Sequence, residues 1–191
     1  MRLCDCPILP TNACKHLFYL LYVCITNNYN LFSKEKKVAY TYEQALDALQ
    51  DYCAYQDRCH KEVRQKLRDL CFFGDLAEEV ICELIRENYL NEERFARSYA
   101  RGRFKMKRWG RQKITRELRQ KDVSAYCIKK GLSEIEDEEY EAVIERELLR
   151  RDRLERKGLH PYLRRRKLAD YMFQRGFESH LTWEMIDRLE L

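Results

Sequence analysis

Twelve Lys or Arg side chains lie between Arg94 and Lys121, and they share that stretch with a single acid, Glu117. A guanidinium presents a planar fork of N–H donors that fits a carboxylate or a phosphate, and an ammonium adds a compact point charge. The chemistry on offer is recognition of an acidic surface, as a protein groove or as a nucleic-acid backbone. The stretch from Arg103 to Val123 reads RFKMKRWGRQKITRELRQKDV. If Ile114 and Leu118 face a core, Arg111, Lys113, Arg116, Arg119 and Gln120 point to solvent or its borders. Arg101, Arg103, Lys105, Lys107 and Arg108 extend that cationic surface onto the preceding helix. Arg164, Arg165, Arg166 and Lys167 form a second patch, and two patches suit a partner with a repeating surface, where weak contacts multiply.

Other residue types that could do chemistry are read structurally. From Glu134 to Glu141 there are six acids and no base, at a loop and helix start where acids favour the helix N-terminus. Trp109 is expected to pack rather than to stack on bases. His16, His60, His160 and His180 lie far from any paired cysteines, and no CxxC occurs, so no metal site is expected. His60 and His160 read as turn or surface residues. The nine cysteines are an odd number without a disulfide framework. Cys53, Cys59, Cys71, Cys82 and Cys127 fall mostly where apolar residues would sit in helices, as reduced, mostly buried thiols of a cytosolic protein do. The sequence holds no GxxxxGK[ST], no HExxH and no nucleophile elbow, which argues against an enzyme and against a cofactor.

The elements that must position these residues are helices. The 191 residues include only six Gly and three Pro, with 36% charged residues and 45% hydrophobic ones, and an all-α fold follows. One apolar spacing recurs three times, four residues and then five: Val63, Leu67 and Phe72; Ile114, Leu118 and Val123; Leu168, Met172 and Phe177. Val63 to Ile114 is 51 residues and Ile114 to Leu168 is 54. Residues four apart share one helix face, and the residue five further on lies past the helix end and folds back as a clasp. That geometry predicts a left-handed cap at Gly176 and at the matching positions of the other copies, where Asp122 tolerates the conformation moderately and Cys71 less well. Each copy has a helix on either side. In the middle copy Asn91 is an N-cap with Glu92 and Glu93 in the first turn, Gly110 breaks the run, and Ser124 caps a third helix. The chain therefore reads as three tandem three-helix, helix-turn-helix-like repeats at 41–88, 89–136 and 137–191, leaning on one another in an elongated, curved molecule.

Residues 1–40 stand apart. Their apolar stretch, Leu17 to Ile25, is too short to span a bilayer, and the segment lacks a small-x-small cleavage pattern. They are read as an extension without function, weakly ordered or produced by an upstream start assignment. Since no Met lies between Met1 and Met106, a shorter product would begin at an alternative codon such as Leu31 or Val38.

The middle copy resembles the signature repeat of the RecX family of bacterial regulatory proteins. The resemblance rests on Tyr89, Leu90, Asn91, Glu92, Phe95 and Ala96, a basic helix, and then Gly110, Lys113, Ile114, Glu117, Leu118, Lys121 and Val123. Asp122 stands where that family has glycine, and Cys71 departs in the same way in the first copy. The likeness extends over residues 42–191 and excludes the first forty. It implies a modulator of the RecA recombinase, lodged in the groove of the RecA–single-stranded DNA filament, where it inhibits ATP hydrolysis, strand exchange and co-protease activity in DNA repair, recombination and the SOS response. It further implies a cytoplasmic monomer with no membrane contact and no catalytic centre or cofactor of its own. The alternative is a helical module that binds DNA directly without RecA, since three-helix units with a basic helix resemble helix-turn-helix domains. Steep salt dependence would mark that alternative.

Overall fold

The computed structural model describes residues 40–154, 158 and 160–191. The reading of the first forty residues thus lies, apart from Tyr40, outside the described residues. Among these there are nine α-helices and no strand: α1 Tyr42–Tyr55, α2 His60–Asp69, α3 Asp75–Arg86, α4 Glu92–Lys107, α5 Arg111–Gln120, α6 Ala125–Leu132, α7 Asp137–Leu154, α8 Pro161–Arg175 and α9 Ser179–Arg188. No helix among the described residues is long and apolar enough to cross a membrane.

The helix starts follow local chemistry. Thr41 and Gln44 close a reciprocal capping box at α1. Asn91 accepts the Arg94 amide at 3.0 Å ahead of Glu92 and Glu93, and Ser124 accepts the Cys127 amide at 3.4 Å. Both caps are the ones expected from the sequence. At the far ends of the second helices the predicted clasp is also present. Cys71, Asp122 and Gly176 have φ of 64°, 60° and 83°. Phe72, Val123 and Phe177 donate their amides back to Leu67, Leu118 and Met172 at 2.9, 3.2 and 3.1 Å. The spacing of five is the sequence trace of that six-to-one bond, with the apolar pair closing over it.

In each trio the first and third helices pack together, α1 on α3, α4 on α6 and α7 on α9, and the second helix lies across them. The α4–α6 approach is close because a Cβ on Gly131 would come within 2.7 Å of the Ala96 carbonyl oxygen. The buried residues do not divide into three equal cores. Leu49, Val63, Leu67, Val80 and Leu84 form one core in the first trio. Phe95, Phe104, Ile114 and Leu118 merge with Tyr140, Leu148, Leu168, Met172 and Phe177, so the second and third trios share a single larger core.

The joints between trios repeat one rule: the N-terminus of a second helix meets the C-terminus of the next second helix. At α5 and α8 the contact is backbone on backbone. Gly110 donates its amide to the Arg175 carbonyl at 2.9 Å and Gln112 donates to the Gly176 carbonyl at 3.1 Å. A Cβ on Gly110 would lie 2.1 Å from the Gly176 oxygen, and one on Gly176 would lie 2.3 Å from Lys113 Cβ, so both glycines are needed for room. At α2 and α5 the matching positions are Cys59 and Asp122, and side chains make the joint instead. Lys61 Nζ donates to the Gln120 carbonyl at 2.7 Å, and Lys121 pairs with Glu62 at 2.7 Å. Beside them Asp57 accepts from Arg94 Nε at 2.8 Å and from the Ser98 hydroxyl at 2.5 Å.

Candidate functional site

The candidate site is the cationic face of the middle trio, carried by α4, α5 and the Arg108–Trp109–Gly110 link. Ile114 and Leu118 are fully buried, which turns the rest of α5 outward as its spacing predicts. Gln112, Arg116, Arg119 and Gln120 are exposed, and Lys113 is half-buried. Arg116 and Arg119 make no side-chain hydrogen bond or ion pair among the described residues. They line a depression of about 710 Å³, shared with Arg111, Gln112, Leu132 and Glu178.

Arg111 lies at the border of the exposed face, half-buried, and its side chain is spent within the fold. Its guanidinium donates to the Ile135 carbonyl at 2.8 Å and to Asp137 at 2.6 Å, 4.3 Å over the Tyr140 ring. Its amide donates to the Tyr140 hydroxyl at 3.1 Å, and that hydroxyl donates to Glu178. Tyr140 is buried between Phe104 and Phe177, with ring centroids 5.8 and 5.4 Å away. Burial first, and then the Glu178 carboxylate, push its phenol well above the ordinary range, so it stays a neutral donor.

On α4 the cations fall into two sets. Arg101 lies 3.9 Å from Glu134, which also takes Arg97 at 2.7 Å. Arg103 stacks 4.7 Å over Tyr99 and 5.3 Å over Trp109, while Lys113 lies 4.6 Å over the same indole. Trp109 is half-buried against the shared core, as expected of a packing residue. Lys105 and Lys107 are exposed and Arg108 is half-buried at the left-handed cap of α4, with no side-chain partner among the described residues.

The second patch is largely spent inside the fold. Arg164 makes a bidentate pair with Asp152, through bonds of 2.6 and 2.5 Å, which ties α8 to α7. Arg165 pairs with Asp187 and ties α8 to α9. Arg166 and Lys167 remain exposed. The acids from Glu134 to Glu141 are likewise structural: Glu134, Asp137 and Glu141 pair with Arg97, Arg111 and Arg188, and Asp137 to Glu139 occupy the first turn of α7. Among the described residues no cluster of His, Cys, Asp or Glu has a metal-binding arrangement. Cys53, Cys59 and Cys127 are buried, and burial raises the Cys53 thiol to about 11, whereas Cys71 and Cys82 are exposed. His160 caps α8 through Nδ1, which accepts from the Tyr162 amide at 3.3 Å.

Sequence reasoning missed the part that Leu132 and Glu178 play in the depression, and the ladder of Tyr99, Arg103, Trp109 and Lys113. Both are assembled from residues that no single helical pattern connects. The surface as built can grip carboxylates or phosphates through Arg116 and Arg119, from a helix fixed at both ends.

Comparison with known proteins shows what this chain is similar to. Residues 91–132 match the family model described as RecX, second three-helix domain. The chain is 33% identical over 107 residues to a regulatory protein RecX of Lactobacillus gasseri, covering 56% of this chain and 40% of that protein. It is 28% identical to that of Streptococcus uberis, covering 69% of this chain and 50% of the other. It is 29% identical to that of Prosthecochloris aestuarii, covering 76% and 93%. The chain thus spans half or less of the first two relatives and most of the third. A crystal structure of regulatory protein RecX superposes with a TM-score of 0.70 at 21% identity, covering 76% of this chain and 73% of that one. A crystal structure of RecX from Lactobacillus salivarius superposes with a TM-score of 0.66 at 23% identity, covering 78% and 96%. At those identities the two structures speak for the fold, which is the same all-helical one. The family model and the relatives support the RecX family, as the signature around Gly110 implied.

Proposed function

We propose that this protein is a regulatory subunit of the RecA–single-stranded DNA filament, acting in the cytoplasm as a monomer. It binds through the cationic face of α5 and the end of α4, and inhibits ATP hydrolysis, strand exchange and co-protease activity. The observation that carries the reading is that Arg116 and Arg119 lie exposed, and unpaired among the described residues, on a helix whose other face and both ends are locked. A helix held in that way spares the backbone ordering cost when a partner arrives and leaves only that of the two side chains. The depression beside them admits a carboxylate-bearing ridge, and its apolar patch at Leu132 gives such a ridge something to bury. The reading needs no catalysis by the chain itself.

The test is single-stranded-DNA-dependent ATP hydrolysis by the cognate RecA, titrated with this protein and with the double charge reversal R116E/R119E. The variant spares Arg111, whose reversal would set a carboxylate against Asp137 and Glu178. Wild type is expected to inhibit below one molecule per RecA protomer and the variant to require at least tenfold more. Equal inhibition by a folded variant would remove α5 from the interface. No inhibition by wild type, together with steeply salt-sensitive binding to bare DNA, would instead support a direct DNA-binding module.

A further inference from the structure

A second surface, lined by no residue of α5, shares Arg103 and Lys107 of α4 with the candidate site and adds the end of α1, Gly102 and Met106, which the filament reading leaves unused. The C-terminal end of α1 and the outer face of α4 enclose a groove of about 660 Å³. Tyr55 and Met106 flank it at 87% and 81% exposure, and Gly102 lies on its floor. Gly102 sits in the interior of a sixteen-residue helix, where glycine costs about 1 kcal/mol relative to alanine. A Cβ there would meet nothing within 4 Å, so no neighbour within the fold accounts for the missing side chain. Its backbone conformation is helical and needs no glycine either. What the missing side chain leaves is open space beside two exposed apolar groups.

The electrostatics of the groove select its occupant. Asp57, the acid on its wall, is already taken by Arg94 and Ser98, which hold its carboxyl below the ordinary range against the opposing effect of burial. Arg103 and Lys107 line the groove and make no side-chain hydrogen bond or ion pair among the described residues. The unsatisfied charge is therefore positive. A single-stranded nucleic acid would also meet that charge, but it needs open aromatic faces for its bases. Of the lining rings, Tyr99 already carries the Arg103 guanidinium at 4.7 Å and the Lys121 ammonium at 5.7 Å, Phe95 is buried and Tyr89 half-buried, which leaves Tyr55 as a single open face where successive bases need several. Methionine, by contrast, adapts its shape to apolar side chains of a protein partner.

We propose that this groove docks an acidic peptide segment of a protein partner, with one large apolar side chain seated over Gly102 between Tyr55 and Met106 and flanking carboxylates on Arg103 and Lys107. The surface goes beyond the α5 interface, and its test requires no filament.

The test measures fluorescence anisotropy of the full chain with a labelled twelve-residue peptide of Glu and Asp around one central Phe. Gly102→Leu fills the groove from a position with open space, so melting by circular dichroism is expected to be no lower than wild type. Its Kd for the peptide is expected to rise at least tenfold. Met106→Ala, at an exposed position, and replacement of the peptide's Phe by Ala are each expected to raise the Kd at least threefold. Absence of peptide binding by wild type overturns the proposal, as does equal binding by the folded Gly102→Leu variant. Gly102→Leu abolishing binding of labelled oligothymidylate while sparing the peptide would assign the groove to nucleic acid and overturn it too.

Discussion

Gly110→Ala tests how the second and third trios are joined. The backbone at Gly110 has φ −74° and ψ 163°, which any residue adopts, so alanine is excluded by space alone. The added Cβ would stand 2.1 Å from the Gly176 oxygen, 2.3 Å from its carbonyl carbon and 2.4 Å from the Phe177 nitrogen, all backbone atoms. These distances fall about 1 Å short of contact, and a backbone held by a left-handed cap cannot step aside as a flexible side chain does. Parting the strands of the joint by that much breaks the Gly110–Arg175 and Gln112–Gly176 hydrogen bonds, now 2.9 and 3.1 Å. Two such bonds contribute about 1 kcal/mol each, and overpacking adds about 1–3 kcal/mol, for a loss of about 3–5 kcal/mol. That is a large share of the roughly 5–15 kcal/mol that stabilises a domain. Urea unfolding followed by circular dichroism measures it, and hydrogen exchange at the Gln112 amide localises it. Gly102→Ala is the control, since it adds the same methyl to open space and is expected to stabilise by about 0.5–1 kcal/mol. If Gly110→Ala matches wild type in both stability and exchange, the backbone joint does not bear on folding and the reasoning fails.

Two further predictions concern the caps and the first joint. Cys71 is exposed and left-handed at φ 64°, so Cys71→Gly is expected to raise the unfolding free energy by about 0.5–1 kcal/mol and with it the urea midpoint; a fall would mean that the thiol stabilises that turn. For the Glu62–Lys121 pair, burial raises the Glu62 carboxyl, but the Lys121 ammonium and the Cys59 amide outweigh it and hold it below 4.5. Burial lowers the Lys121 ammonium, but Glu62 outweighs that and holds it above 10.5. The Glu62 contribution is present above its unfolded value and lost as pH falls through the lowered folded one. The Lys121 contribution is present below its unfolded value and lost as pH rises through the raised one. The pair therefore works between about pH 5 and pH 10. Glu62→Gln is expected to cost about 1–2 kcal/mol at pH 7 and progressively less toward pH 3; a difference independent of pH would sink the assignment.

How legible these features were depended on the range of the forces behind them. The four-and-five spacing predicted both the second helices and their left-handed caps, because one local bond, such as Val123 to Leu118, creates both signals. Asn91 and Ser124 were readable as caps for the same reason. Helical periodicity places Arg111, Arg164 and Arg165 at an outer face, but it holds no information about the Asp137, Asp152 and Asp187 that other helices set against them. Gly110 was legible as a break and silent as a joint, since its partner Gly176 lies in another trio. Of the cysteines read as mostly buried, Cys53, Cys59 and Cys127 are buried, whereas Cys71 and Cys82 are exposed at positions with little local pattern to set them apart.

The end-to-end rule for the second helices also gives the row a direction, as in a polymer whose monomers differ at head and tail. The α5–α8 joint spends the amides at one helix start on the carbonyls at another helix end, and the α2–α5 joint reaches those carbonyls with the Lys61 side chain. At the start of α8 that head group is altered: His160 stands at the cap position that Gly110 holds in α5, and its Nδ1 already accepts the Tyr162 amide, the counterpart of the Gln112 amide. A further unit appended by the same rule would meet a blocked head, so lengthening this array by design would begin with replacing His160 by the glycine found at Gly110.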